Sequence, residues 1–183
     1  MTLTDTSSSY TENITRAEAS ERSAVISSTS YEVVLDLTST GPTFATSTTA
    51  LFACTSIGAH TWIDLIAPTV ESVTLNGKEL SIAEVVQGAR ILLPDLQEMN
   101  TVVVTAQGKY MNTGEGLHRF IDPVDDQTYL YTQFESADAR RMYACFEQPD
   151  LKATFTLTAT APARWKVISN SPMAQVTEHD NDT

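Results

Sequence analysis

The sequence is poor in the features that mark secreted, membrane and disulfide-rich proteins. It holds only two cysteines in 183 residues, Cys54 and Cys145, which lie far apart and lack metal-ligand spacing. We expect two free thiols; a structural disulfide is the alternative, and it would need an oxidising compartment. No run of about 18 or more apolar residues is present, and residues 1–9 lack the basic and apolar regions of a signal peptide. These absences predict a cytoplasmic protein that does not enter a membrane.

Basic residues are also scarce. The chain has 11 Lys and Arg residues against 23 Asp and Glu residues, which gives a net charge of −12. Such a surface repels nucleic acids and anionic lipids, so we expect neither as a partner. It is compatible with cationic peptides.

Metal and nucleotide motifs are missing as well. A zinc protease needs two histidines one helical turn apart, written H-E-x-x-H, and none of His60, His118 and His179 forms that pair. His118 and Asp122 could be weighed as two metal ligands, but two ligands in a loop make a poor site, so a structural histidine is favoured. Gly114-x-Gly116 is too short to bind a nucleotide. We therefore expect the chain itself to bind no metal and no cofactor.

The sequence does contain segments in which apolar and polar residues alternate with a period of two, which is typical of β-strands. Asn76-Gly77 suits a type I′ turn between two of the strands, because both residues tolerate positive φ. The predicted strands are Tyr31–Thr38, Phe44–Thr55, Trp62–Leu65, Val70–Leu75, Lys78–Ile82, Ala89–Leu93, Thr101–Ala106, 129–135, Lys152–Ala159 and Trp165–Ser169. We predict an all-β domain of about ten strands in two packed sheets, a β-sandwich or saddle-like fold.

The two ends of this domain have simpler patterns. Residues 1–13 are rich in Ser and Thr and are predicted to form a flexible arm. Thr15 and Glu18 have the spacing of a capping box, so a short helix should follow and run to about Ile26. Residues 14–183 then make up the single folded domain. Within it, Lys109–Arg119 is predicted to be a loop.

Two polar side chains lie together at the end of the predicted strand 129–135. With a period of two, Gln133 and Glu135 point to the same face as Tyr129 and Tyr131. Positions two apart on a strand are roughly 6.5–7 Å apart, so both could contact one small ligand. A carboxylate there could bind a cationic amine, and the amide could orient the rest of the ligand. The alternative is an edge strand whose polar residues face water.

Charged residues directly follow this strand. Asp138 precedes Arg141 by three residues, a spacing that favours an ion pair or backbone hydrogen bonds from the guanidinium if the stretch forms a helical turn. We interpret Asp138, Arg140 and Arg141 as structural support that holds the strand end in position. Asp122, Asp125 and Asp126 are interpreted as turn residues rather than as a calcium site.

The same region resembles the signature block of zinc aminopeptidases of the aminopeptidase N family. The matching residues are Gln133-Phe134-Glu135-x-Ala137-Asp138-Ala139-Arg140-Arg141-x-x-x-Cys145-Phe146-x-x-Pro149-x-x-Lys152-Ala153-x-Phe155. Upstream, Gly114-Glu115-Gly116-Leu117-His118-Arg119-Phe120-x-Asp122-Pro123 is similar to the actinobacterial form of the family. Residues 143–144 are Tyr-Ala where Phe-Pro is frequent, and residues 147–148 are Glu-Gln where Asp-Glu is frequent, which leaves the local loop conformation open.

The resemblance implies a role for each polar residue of the strand end. It implies that Glu135 binds the free α-ammonium of a peptide substrate and that Gln133 lines the pocket for the first side chain. The family's H-E-x-x-H and Gly-Ala-Met-Glu-Asn motifs are both missing. The resemblance therefore covers only the N-terminal β domain, whose partners would be the peptide N-terminus and its own catalytic domain. Zinc would belong to the complete enzyme, and this chain alone should not hydrolyse peptides.

Two other functions stay open at this point. A free-standing β-sandwich could bind a ligand or a protein without catalysis. A domain of this kind could also serve mainly as a packing platform for a catalytic domain. The absence of H-E-x-x-H favours either of these for the chain as given, whereas Gln133 and Glu135 favour substrate recognition in a longer enzyme.

Overall fold

A computed structural model describes residues 13–179 of the chain. The elements in chain order are α1 Arg16–Val25, β1 Ile26–Asp36, β2 Thr43–Cys54, β3 Thr61–Asp64, β4 Thr69–Leu75, β5 Lys78–Glu79, α2 Ile82–Val85, β6 Val86–Gln87, β7 Arg90–Leu93, β8 Met99–Lys109, β9 Gly116–Ile121, β10 Thr128–Gln133, a 3-10 turn Ala139–Arg141, and β11 Thr154–Thr160. The predicted all-β class with a short N-terminal helix is confirmed. No helix within residues 13–179 is long and apolar enough to cross a membrane.

The strands form three sheets of different size. The largest has six strands in the order β11-β1-β2-β8-β4-β5, the second has the order β3-β7-β6, and β9 and β10 form a separate two-stranded ribbon. Only β1 and β11 run parallel; every other named pair is antiparallel. The predicted turn at Asn76-Gly77 lies between β4 and β5, and both residues have positive φ.

One hydrophobic core lies between the six-stranded and three-stranded sheets, and residues of both sheets belong to it. In β2 every second residue is buried, which is the pattern that period-two alternation predicts for a strand with one covered face. Phe44 at the start of β2 is fully buried. Gly108 on the neighbouring strand β8 makes room for its ring, since a Cβ atom at Gly108 would lie 2.3 Å from a Phe44 ring carbon.

Helix α1 begins at the predicted capping box. The Thr15 hydroxyl oxygen accepts a hydrogen bond from the Glu18 amide, and the Glu18 carboxylate accepts one from the Thr15 amide at 2.8 Å. Glu18 also accepts a hydrogen bond from Arg90 of β7 at 2.6 Å. The hydrogen bond from Arg90, together with the one from the Thr15 amide, holds the pKa of Glu18 down at about 2. The carboxylate thus caps the helix and joins it to the three-stranded sheet.

Several predicted boundaries were wrong. Trp165–Ser169, predicted as the last strand, forms no strand, and the strand predicted at Lys78–Ile82 ends at Glu79 before the short helix α2. Residues 116–119, predicted as loop, belong to β9. Of the predicted flexible arm, residues 1–12 lie outside the described part of the chain.

Candidate functional site at the end of strand β10

The β9–β10 ribbon positions the two predicted ligand-binding residues. Gln133 is the last residue of β10 and pairs with Gly116, the first residue of β9. Glu135 lies two residues beyond the end of the strand, which the sequence had predicted to continue through that position. Both side chains are exposed at the surface. The site is therefore a strand end with a short extension, and not a flat strand face.

A hydrogen bond joins the Gln133 side chain to the backbone of Glu135 despite the early end of the strand. The Glu135 amide donates to the side-chain oxygen of Gln133 at 3.3 Å, and the peptide bond between Glu135 and Ser136 is cis. Within residues 13–179 the Glu135 carboxylate forms no ion pair. Its negative charge is thus not neutralised by a neighbour and is available to an approaching cation.

The turn after Glu135 contains two of the three predicted support residues, Asp138 and Arg141. Arg141 Nε lies 2.7 Å from Asp138 Oδ1 and 3.9 Å from Glu115 Oε2. The ion pair predicted from the spacing of Asp138 and Arg141 is therefore present. Gly116 lies directly against the Arg141 side chain, because a Cβ atom at Gly116 would be 2.7 Å from Arg141 Cβ. The start of β9, and with it the end of β10, is thereby fixed against this turn.

Arg140, the third support residue, is buried and makes contacts in several directions. Its guanidinium donates to the Ala137 carbonyl oxygen at 2.9 Å and to the Asn13 side chain at 2.8 Å. Its backbone amide donates to Glu147 Oε2 at 2.8 Å. Burial raises the pKa of Glu147. Asn13, which the sequence placed at the end of a flexible arm, therefore contacts the turn that follows the site.

A second buried charge cluster supports the loop from Cys145 to Gln148, and sequence reasoning missed it. Asp64 Oδ2 accepts a hydrogen bond from Arg22 Nη1 at 2.8 Å and one from the Glu147 amide at 3.0 Å. Arg22 Nε donates to Gln148 Oε1 at 2.9 Å. Two signals could have revealed the cluster: Asp64 interrupts an apolar strand, and Arg22 follows Glu18 by four residues on one helix face.

The cluster is completed by an aromatic side chain. Trp62 Nε1 donates to Asp64 Oδ1 at 3.1 Å, and the Trp62 ring lies 4.7 Å from the Arg22 guanidinium carbon and 4.5 Å from that of Arg90. Cation–π contacts of this kind are strongest when water is excluded. Helix α1, strand β3 and the loop after the site are therefore joined through one polar network inside the protein.

The described residues do not fit a zinc site. Within residues 13–179, no group of three or more His, Cys, Asp or Glu side chains is arranged to hold a metal ion. His118 Nδ1 accepts a hydrogen bond from the Gly114 amide at 3.0 Å. Asp122 and Asp125 accept hydrogen bonds from backbone amides two residues further on, each at 2.8 Å, which is the turn role predicted for them. Both cysteines are buried and free.

The ribbon carries exposed apolar side chains along its length, from Tyr131 beside Gln133 to Val124 in the turn at the opposite end. On the ribbon these are Phe120, Ile121, Val124, Tyr129 and Tyr131, which are 46–92% exposed. A cleft of about 280 Å³ lies nearby and is lined by Ile66, Ala67, Pro68, Lys109, Met111 and Arg141. Neither Gln133 nor Glu135 lines this cleft. The two polar residues thus lie on open surface next to an apolar ribbon, a combination typical of interaction sites.

The chain is similar in sequence to known proteins. Residues 27–183 match the peptidase M1 N-terminal domain. The chain is 56% identical over 163 residues to aminopeptidase N of Streptomyces lividans, covering 87% of this chain and 19% of that protein. It is 35% identical over 140 residues to aminopeptidase N of Acetobacter pasteurianus, covering 63% of this chain and 38% of that protein.

A similar fold is found among solved structures. The crystal structure of an M1 zinc metallopeptidase from Deinococcus radiodurans superimposes with a TM-score of 0.64 at 20% sequence identity. The matched region covers 85% of this chain and 37% of that structure. At this level of identity the match concerns the fold alone. The chain thus spans less than two fifths of the length of each of these three proteins.

Proposed function

This chain belongs to the peptidase M1 N-terminal domain family, and on that premise we propose that it is the substrate-recognition domain of a zinc aminopeptidase. In this proposal Glu135 binds the free α-ammonium of a peptide, and Gln133 lines the pocket for the first side chain. Catalysis takes place in another part of a longer polypeptide. The domain alone is inactive, and the complete enzyme acts in the cytoplasm, where free thiols such as Cys54 and Cys145 persist.

The observation that carries the proposal is an unpaired carboxylate on a well-supported strand end. Glu135 is exposed and has no ion pair among residues 13–179, whereas the residues just after it are held by part-buried hydrogen bonds and by the ion pair of Asp138 with Arg141. An ammonium at 4 Å would gain about 4 kcal/mol at an effective dielectric of about 20, before desolvation is subtracted. A rigid support reduces the entropic cost of this contact.

A fixed amine site would also determine where the substrate is cut. If the α-ammonium is held at Glu135, the first peptide bond lies at one constant distance from it, so the site selects removal of a single residue. Zinc, when bound in the complete enzyme, would supply an activated water for attack on that bond. The role of this chain's own residues is to bind and orient the peptide.

The exposed ribbon suits a surface that a catalytic domain covers. Five apolar side chains of the ribbon are 46–92% exposed. Three of them, Phe120, Tyr129 and Tyr131, share one face by their pairing, and exposed apolar surface of this kind is typical of interfaces. A non-catalytic β-sandwich that binds a protein partner would use the same surface. The two functions differ in what they require of Glu135, which is needed for amine recognition only in the first.

Kinetics of the complete enzyme test the proposal. Replacing Glu135 by Gln should lower kcat/KM for aminoacyl substrates with a free amine by about 100-fold, since a charged hydrogen-bond partner is lost. Glu98→Gln is a matched control, because Glu98 is also exposed but lies on the loop before β8, away from the ribbon. Equal kcat/KM values for the wild-type enzyme and both variants would refute the role of Glu135.

A further inference from the structure

The ribbon face that carries Gln133 also carries two rungs of aromatic rings. His118 pairs with Tyr131, and Phe120 pairs with Tyr129. Side chains directly opposite each other in an antiparallel pair point to the same face, as do positions two apart along a strand. All four rings therefore lie on the Gln133 face, in two rungs that lead away from the site.

The rung next to Gln133 is a stacked and fixed pair. The rings of His118 and Tyr131 are 4.5 Å apart between centroids and inclined by only 25°. The Gly114 amide donates to His118 Nδ1 at 3.0 Å, which fixes the orientation of the imidazole. Tyr131 is thus supported from one side by a ring that cannot easily move. A rigid aromatic surface binds an apolar group at low entropic cost.

The exposure of Tyr131 distinguishes it from a residue packed in the core. The sequence places Tyr131 on the same face as Gln133, and 51% of the residue is exposed. Leu130, on the opposite face of β10, is half-buried and packs against the core. The face with Tyr131 therefore points away from the core of this chain, towards the side on which Gln133 is presented.

We propose that Tyr131, supported by His118, forms the far wall of the pocket for the first side chain and selects peptides with an aromatic or long aliphatic first residue. This inference rests on the proposed function. If Glu135 holds the amine and Gln133 lines the pocket, Tyr131 is the next residue on that face, about 6.5–7 Å further along the strand. A short side chain would end near Gln133, whereas a large one would reach the Tyr131 ring. Tyr131 is then a specificity-determining residue of the recognition site.

Substrate selectivity of the complete enzyme tests the proposal with three p-nitroanilides, those of phenylalanine, leucine and alanine. Tyr131→Ala should lower kcat/KM for the phenylalanine and leucine substrates by about 10-fold and leave that for the alanine substrate within about 2-fold. Tyr131→Phe should retain the wild-type selectivity, because it keeps the ring.

Tyr129→Ala is the matched control, since Tyr129 lies on the same face, is equally exposed at 49%, and is one rung further from Gln133. It should not change selectivity. An equal loss for all three substrates in Tyr131→Ala would show packing rather than selection, and no loss would show that the ring is not part of the pocket; either result overturns the inference. If Glu135→Gln loses the dependence on a free amine while Tyr131→Ala keeps the wild-type selectivity, this inference alone is overturned. If Glu135→Gln leaves kcat/KM unchanged, the proposed function is overturned.

Discussion

Strands β2 and β10 have the same kind of alternating sequence and different surroundings. In β2, which lies between β1 and β8, every second residue is buried. In β10, which pairs with β9 alone among residues 13–179, no residue is buried. The comparison shows that alternation identifies which residues of a strand share a face, but does not reveal whether another layer covers that face.

The difference has a physical consequence for the ribbon. A two-stranded hairpin is only marginally stable by itself, so the β9–β10 ribbon depends on contacts to the rest of the domain. Arg119 of β9 provides one such contact by donating to the carbonyl oxygens of Thr40 and Gly41, and its guanidinium lies 4.7 Å from the Tyr110 ring. The turn at Arg141 provides another. Changes in the scaffold should therefore affect folding, whereas changes on the ribbon face should affect recognition.

The largest effect is expected from the buried scaffold. Asp64→Ala should lower the free energy of unfolding by about 3–5 kcal/mol, because it leaves the Arg22 guanidinium buried without its counter-ion. Chemical denaturation followed by circular dichroism measures this change. Asp150→Ala, at an exposed aspartate, should stay within about 0.5 kcal/mol of wild type. Similar stabilities of the two variants would show that the Asp64 cluster does not hold the scaffold together.

A smaller effect is expected where the ribbon meets the scaffold. Gly116→Ala should cost about 1–3 kcal/mol, since the residue has φ +59° and its new Cβ would press on Arg141. Gly114→Ala is the matched control: Gly114 has φ +94° and no atom within 4 Å of an added Cβ, so only backbone strain applies. Thermal unfolding should give the lower Tm for Gly116→Ala. A lower Tm for Gly114→Ala would contradict close packing at Gly116.

The smallest effect concerns helix α1 at low pH. The Arg90 hydrogen bond and the Thr15 amide bond hold the pKa of Glu18 at about 2 in the folded protein, against an ordinary value of 4.5. The stabilisation is therefore complete above about pH 4.5 and is lost as the pH falls towards 2. Glu18→Gln should cost about 1 kcal/mol at pH 7 and flatten this part of the stability curve. Glu21→Gln, in the same helix, should leave the curve unchanged; equal curves for the two variants would contradict the account of Glu18.

The sequence predicted the fold well where a local pattern determines the structure. The capping box at Thr15, the turn at Asn76-Gly77 and the long strand β2 all depend on near neighbours in the chain. Trp165–Ser169 has the alternation of a strand but finds no partner among residues 13–179, because strand formation needs a second strand. The start of β9 at Gly116 was hidden by two glycines that are typical of a loop.

The candidate site was predicted only in part. Gln133 and Glu135 lie at the surface, where their ligand-binding role stays a prediction, and Asp138 forms the predicted ion pair with Arg141. The contact of Arg22 with Asp64 joins residues 42 positions apart; the local sequence could mark each of them as unusual, but no spacing rule pairs one with the other. The exposure of Tyr131 could not be predicted either, since it depends on which layer covers the ribbon.

The central claim is that Glu135 binds the positive terminus of a peptide, and a thermodynamic cycle tests it most directly. Two competitive inhibitors of the complete enzyme are compared, one with an α-amine and one in which hydrogen replaces the amine, against wild type and Glu135→Gln. In the wild-type enzyme the amine should improve the inhibition constant by about 100-fold. The account predicts that this advantage falls to less than about 3-fold in Glu135→Gln. An undiminished advantage in the variant would contradict it.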